Sequence, residues 1–293
     1  MSNKLISLLL LSVLLLVSVL AEADRSPAPT IAPEPEHAYY TVNIAAGEKG
    51  DVYHLSKVNN PGQVLSASSL DLPHTANLSD IHSHSASYVL RGSISTESND
   101  RFKVANFYKV ARYPNSYNPS DPEEERTGNF YHVQGAGFGP CKSLNCSVAL
   151  NELNSDKRIM LKNITSPYTG LLIDRIWIDF ILFELEKGSK ALVQATVNDK
   201  NEAAITGLFI NLPDPTRGCP KYKMAACPAG QKRWYSRSPN RCLVPKECIP
   251  QAPCPLYVPH CPEGYTLTSY PGKNSCPKYW CDPSFVTRIG TSY

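Results

Sequence analysis

Ten cysteines are the residues of this chain best suited to chemistry, and eight of them fall in two runs: Cys219, Cys227, Cys242 and Cys248, then Cys254, Cys261, Cys276 and Cys281. Successive members stand 8, 15 and 6 positions apart in the first run and 7, 15 and 5 in the second, so one small unit is written twice. The neighbours repeat too, Cys227-Pro228-Ala229-Gly230 matching Cys261-Pro262-Glu263-Gly264. Thiols at this density either close disulfides or hold zinc. Four-cysteine zinc sites show two tight Cys-x2-4-Cys pairs, and here only Cys276 and Cys281 come that close. The start of the chain favours disulfides: Lys4, an apolar run from Leu5 to Leu20 and then Ala21-Glu22-Ala23 have the pattern of a secretory signal peptide cut after Ala23. In an oxidising compartment such cysteines bond one another, with three pairings open inside each unit. Cys141 and Cys146, five positions apart, are expected to pair as well.

Other reactive groups offer less. Asp80, His82 and His84 would share one face of a strand and supply three metal ligands, but a helix would scatter them, so the segment reads as an exposed polar turn and no metal site is expected. There is no Gly-x-Ser-x-Gly elbow, and Gly135-Ala136-Gly137-Phe138-Gly139 lacks the Gly-Lys pair of a nucleotide loop. Paired carboxylates in a glycosidase context are missing too. The chain is therefore read as non-enzymatic and without a cofactor. Its net charge of +3 is too small to make nucleic acid a natural partner. After the leader no run looks like a membrane span, because Asp174, Arg175, Asp179 and Glu184 interrupt the apolar stretch 171–185. Secretion makes the sequons at Asn77, Asn145 and Asn163 candidate glycosylation sites.

What remains is binding. Units of about 30 residues are too small to bury all of their aromatic side chains. Arg233, Trp234, Tyr235, Arg237, Tyr265, Tyr270 and Trp280 are accordingly the candidate contact residues for an extracellular protein or glycan, since rings on a crosslinked frame lose little entropy on binding. The alternative is a protease inhibitor. The loops between Cys227 and Cys242 and between Cys261 and Cys276 each hold 14 residues. Arg233 and Arg237 in the first would suit a trypsin-like pocket, and Tyr265, Leu267 and Tyr270 in the second a chymotrypsin-like one.

The elements that must position these residues divide the chain into a signal peptide (1–23), a Pro-rich spacer (24–38), a first half (39–113), an acidic, Pro-rich linker (114–128), a second half (129–213), cysteine units at 214–250 and 251–283, and a C-terminal tail (284–293). The two halves look like copies. Tyr39-Tyr40-Thr41-Val42 resembles Phe130-Tyr131-His132-Val133, Leu55, Val58 and Asn59 match Leu150, Leu153 and Asn154, and Leu90 to Ile94 matches Val193 to Val197. Each half is expected to open with a strand, add two short β-rich runs, then a helix (78–87 and 171–187), and close with a pair of strands (88–95 with 102–111, and 190–197 with 203–212). The fold class expected is α+β, internally duplicated and strand-rich with one helix per half, followed by the two disulfide-rich repeats.

Tyr53, Val58-Asn59, Ser69-Leu70-Asp71-Leu72, Val89-Leu90-Arg91-Gly92, Phe130-Tyr131-His132-Val133, the loop from Cys141 to Cys146 and Leu150-Asn151 together resemble a domain family of unknown function found mainly in secreted bacterial proteins. The resemblance covers residues 39–213 and implies a location and a fold type only. In the tail, Cys261-Pro262-Glu263-Gly264-Tyr265 and the close of each unit resemble small antistasin-like protease inhibitors, which carry more cysteines per unit than the four found here.

Overall fold

Strand β1 (Ala38–Gly47) buries Tyr40 and Val42 on one face and turns Thr41 between them to the other, the period of two that a pleated strand imposes. In the computed structural model of the chain this pattern recurs through twelve strands of one sheet. The structure describes residues 37–48, 50–73, 76–95, 100–113, 126–135, 148–168, 172–183, 190–212 and 219–286. The signal peptide, nearly all of the spacer, linker residues 114–125, the Cys141–Cys146 pair and Asn145 lie outside the described residues.

The remaining strands of the first half are β2 (Gly50–Lys57), β3 (Val64–Ala67), β4 (Ser69–Asp71), β5 (Tyr88–Ile94) and β6 (Arg101–Ala111), with the short helix α1 (Leu78–Ser83) before β5. The second half repeats the order: β7 (Asn129–Gln134), β8 (Val148–Glu152), β9 (Arg158–Leu161), β10 (Asn163–Thr165), α2 (Arg175–Phe183), β11 (Ala191–Val197) and β12 (Glu202–Leu212). Across the sheet the strands run β3-β2-β1-β5-β6-β12-β11-β7-β8-β9, an order that reads alike from both ends. β4 pairs in parallel with β6 as β10 does with β12. Even the irregularities coincide, a bulge falling between Arg91 and Gly92 in β5 and between Gln194 and Ala195 in β11. The halves join through antiparallel pairing of β6 with β12, centred on Lys109 and Ile210. Sheet pairing thus runs without a break from one half into the other.

The expected α+β class needs correction toward β: among the described residues the helices are short and strand is the main element. The expected first helix shrinks to α1 and a 3-10 turn at Ser85–Ser87. Asn77 caps α1, its Oδ1 accepting the Asp80 N–H at 3.4 Å. Serines at positions 83, 85 and 87 favour local hydrogen bonds over helix extension.

Three cores lie among the described residues. β6 shows why, since Phe102 and Val104 are buried on one face only whereas Phe107 and Tyr108 are both buried, having protein on either side. Phe107 joins Tyr40, Leu55, Ile81 and Leu90 beneath α1. Leu150, Trp177, Ile181 and Val193 form the matching core beneath α2, extended by Cys281 and Val286 of the tail. Tyr108 faces inward with Val58, Val89, Val110, Leu153, Leu192 and Phe209. Strands β1 and β7 stand five steps apart in the sheet, about 24 Å if it were flat. Yet the Asn59 side chain bonds the backbone of Phe130 at 2.8 Å, and that of Asn154 bonds Tyr39 at 2.8 Å. The middle six strands must therefore roll into a barrel, closed between β1 and β7 by these side chains.

Candidate functional site

Each cysteine unit is a β-hairpin: β13 (Gln231–Arg237) with β14 (Leu243–Pro250), and β15 (Tyr265–Pro271) with β16 (Pro277–Pro283). Of the pairings left open by sequence, both units take the same one. The first cysteine bonds the third and the second the fourth: Cys219–Cys242 and Cys227–Cys248, then Cys254–Cys276 and Cys261–Cys281. The hairpin tips also agree, with Arg241 and Ser275 at φ of 64° and 63°. Of the two segments of 14 residues offered above as protease loops, seven residues in each, 231–237 and 265–271, are β-arm with backbone paired in the hairpin.

The hairpins meet each other and α2 around four buried charges. Arg237 Nε lies 2.8 Å from Asp174 Oδ2, an ion pair whose N–H direction misses hydrogen-bond geometry, and Arg237 Nη2 donates to Asp282 Oδ1 at 2.6 Å. Arg241 Nη1 is 3.7 Å from Asp282 Oδ2, and its guanidinium lies 4.7 Å from the Trp177 ring centre. Asp174 also accepts the Trp177 N–H at 3.1 Å, and Asp282 the Thr268 hydroxyl at 3.0 Å. Side-chain exposure is 5% for Arg237 and 1% for Arg241. Two cations balance two anions, which is what allows the cluster to be buried. Burial pushes the Asp174 carboxyl up, with Arg237 opposing it.

Above this floor opens a cleft of about 630 Å³. Trp234, Tyr235, Tyr270 and Trp280 line it, with Ser236 and Asn274 as polar groups and the exposed Lys273 and Lys278 at its edge. Trp280 is fixed by its Nε1–H donating to the Tyr270 hydroxyl at 2.9 Å, and Lys278 Nζ lies 5.0 Å from its ring centre. The geometry can take a flat, partly apolar ligand against an aromatic wall with cations beside it.

Five of the seven candidate contact residues are thus gathered in one place, though in unequal roles. Trp234 and Trp280 are half-buried walls, while Tyr235 and Tyr270 are buried and reach the cleft only by an edge. Arg237 is held inside the ionic cluster, which corrects its reading as a group for a trypsin-like pocket. Arg233 donates to the Lys246 and Ala225 carbonyls at 2.5 and 2.9 Å and braces its own unit. Tyr265 donates to the Arg112 carbonyl at 2.7 Å and packs on the second-half core, docking the tail on the barrel. Burial pushes its phenol up.

Sequence reasoning missed the loop from Cys254 to Cys261. Leu256, Tyr257 and Val258 are 97%, 75% and 61% exposed, between Pro255 and Pro259 and between two disulfide-bonded cysteines. The signal was there, an apolar triplet bracketed by prolines. Asn77 and Asn163 are exposed at the surface. At the end of α1 the two imidazoles part company: His82 meets the Tyr53 hydroxyl at 2.8 Å and Asp51 at 3.5 Å, while His84, just past the helix, meets Asp80 at 2.9 Å. Among the described residues no group of three or more His, Cys, Asp or Glu side chains is placed to hold a metal.

No family model matches the chain, and no solved structure matches it. An uncharacterized protein of Dictyostelium discoideum is 31% identical over 193 residues, which is 64% of this chain and 63% of that protein. The match therefore spans less than two thirds of the relative's length. Among the described residues no helix is long and apolar enough to cross a membrane.

Proposed function

We propose that this chain is an extracellular, non-enzymatic binding glycoprotein in which the two cysteine units present the cleft between them to a glycan or protein partner. The duplicated barrel is the scaffold and Asn77 and Asn163 carry glycans. The observation that carries the reading is the cleft: half-buried Trp234 and Trp280 wall it on a frame tied by four disulfides and a buried ionic cluster, with lysines alongside. A preordered aromatic surface binds without a large loss of conformational freedom, and exposed lysines favour an acidic partner. The test is saturable attachment of the purified chain to cells and immobilised glycans, compared with Lys273→Glu and Lys278→Glu, at several salt concentrations. Loss of attachment in both variants and at high salt supports the cleft; attachment indifferent to all three removes it from the reading.

A second reading, protease inhibition, is favoured by the exposed Leu256-Tyr257-Val258 segment, which is pinned at each end by a disulfide. It moves the inhibitory loop from the hairpins to residues 255–260. Titration against serine and cysteine proteases, with a reduced and alkylated control, tests it: stoichiometric inhibition lost on reduction supports it, and undiminished protease activity excludes those classes.

A further inference from the structure

Duplication gives each barrel residue a counterpart, and at four stations the counterparts differ in chemistry. Tyr39 stands opposite Arg91 in the β1–β5 ladder as Phe130 stands opposite Gln194 in β7–β11. Tyr108 faces Val89 as Phe209 faces Leu192. The ring pairs correspond as well, Tyr39 to Tyr108 at 6.1 Å and Phe130 to Phe209 at 5.4 Å. Two residues beyond Tyr39 and Phe130 come Thr41 and His132. One copy of this seam site therefore gathers Phe130, Phe209 and Gln194 of the second half with Thr41 of the first, and the other gathers Tyr39, Tyr108 and Arg91 of the first half with His132 of the second. Since the first set builds the same strands, bulge and ring pair, the fold does not require ionisable groups at these stations.

The ionisable copy is short of partners at two points. Tyr108 and Tyr39 share a hydrogen bond, and the Tyr39 hydroxyl meets His132 Nε2 at 2.9 Å. With Tyr39 as the donor to Nε2, the ring proton sits on His132 Nδ1, an atom that is buried with no hydrogen-bond partner. Arg91 donates from Nη1 to Asn106 Oδ1 at 3.2 Å and lies 5.8 Å from the Tyr39 ring centre, but it pairs with no carboxylate among the described residues. A half-buried guanidinium without an anion, beside an imidazole N–H without an acceptor, asks for one group: an oxyanion.

We propose that Arg91 and His132, backed by Tyr39 and Tyr108, form a site for the carboxylate or phosphate group of a small ligand. The planar Arg91 fork takes two oxygens, and the His132 Nδ1–H supplies the remaining donor. Burial, reinforced by the Arg91 charge, pulls His132 down to about 4, and an anion offsetting that charge moves it back up, which provides a readout.

The test uses the full chain with 13C-labelled histidine rings, titrated separately with acetate and with inorganic phosphate. His132 is assigned by its missing signal in His132→Thr. A saturable shift of the His132 ring with either anion, weakened about tenfold or more in Arg91→Gln, is the expected result, and the anion that acts tells which oxyanion the site takes. Both substitutions copy the residue that the other half carries at the same station, and Arg91→Lys, which keeps the charge but loses the fork, is a second variant should Arg91→Gln unfold. A shift that grows without saturation for both anions, or that Arg91→Gln and Arg91→Lys leave unchanged, overturns the proposal.

Discussion

Asn59 and Asn154 make the same three hydrogen bonds to opposite halves of the molecule. Asn59 Nδ2 donates to the Phe130 and Leu153 carbonyls at 2.8 and 3.1 Å while its Oδ1 accepts the Phe130 N–H at 2.8 Å. Asn154 does this to Tyr39 and Val58, with Nδ2 to their carbonyls at 2.8 and 3.0 Å and Oδ1 to the Tyr39 N–H at 2.9 Å. Both asparagines have positive φ, 62° and 58°, a conformation in which a short amide is better tolerated than most side chains. The clasp is reciprocal, and it joins the first half to the second where no strand ladder does.

Removing either amide is expected to destabilise the protein by about 2–4 kcal/mol, because backbone groups in the seam lose their partners and alanine resists the positive φ. Asn59→Gly separates the two costs: glycine accepts the φ, so it is expected to be about 1 kcal/mol milder than Asn59→Ala in chemical denaturation. Asn59→Ala combined with Asn154→Ala should cost less than the sum, since both clasps hold one seam. Strict additivity would show that the two act independently.

The buried ionic cluster makes the strongest mutational prediction for the tail. Arg237→Ala leaves Asp174 and Asp282 facing each other with only Arg241 between them, and about 3–5 kcal/mol of stability should be lost from the packing of the hairpins on α2. Limited proteolysis is expected to cut the tail of this variant faster than the barrel. Arg112 and Glu263 also pair between barrel and tail, but both side chains are about half exposed, so Arg112→Ala is expected to cost less than about 1 kcal/mol. Equal losses in the two variants would show that burial does not set the difference.

Acid should weaken the fold through His132. Its folded value of about 4 lies below the ordinary 6.5, so on acidification the unfolded chain takes up this proton first. The stability contributed by the neutral ring is complete above 6.5 and is lost progressively as the pH falls to about 4. Its full size is about 3 kcal/mol at most. Asp174, raised by burial, acts in the opposite sense, because the folded state takes its proton more readily than the unfolded state. For Asp80 burial alone would raise the carboxyl, but Lys109, Tyr88 and His84 together hold it below its usual range, so it adds a further loss at lower pH. The difference between wild-type and His132→Thr stability curves isolates the histidine; parallel curves between pH 6.5 and 4 would refute its assignment as a buried neutral ring.

Much of the barrel was legible in sequence because a duplicated strand pattern is local and repeats. Tyr39 and Phe130 share a pattern of neighbours, and the segments at Leu90 and Val193 prove to be the bulged strands β5 and β11. The match of Asn59 with Asn154 was visible too, but a match does not say that each side chain reaches the other copy. That depends on how far the sheet rolls. Arg237 was misread for a similar reason: a basic residue in a small cysteine unit looks solvated, and its partner Asp174 stands just before α2, in the second half of the barrel region. Leu256 escaped because apolar triplets are usually buried, and only the two flanking disulfides and prolines keep this one in water.

The exposed loop and the cleft make opposite predictions about stability and function, which lets the two functional readings be separated. Leu256 and Tyr257 touch little, so Leu256→Asp and Tyr257→Ala should leave the denaturation midpoint within about 0.5 kcal/mol of wild type. Trp280→Ala removes a ring bonded to Tyr270 and packed between hairpins, and is expected to cost about 2–4 kcal/mol, which makes it a poor probe of binding. Lys273→Glu and Lys278→Glu change charge at exposed positions and leave the walls intact. If the lysine variants lose attachment to cells or glycans while Leu256→Asp keeps it, the cleft is the contact surface. If instead Leu256→Asp alone abolishes inhibition of a protease, the loop is, and the aromatic cleft is reduced to the packing that holds the loop in place.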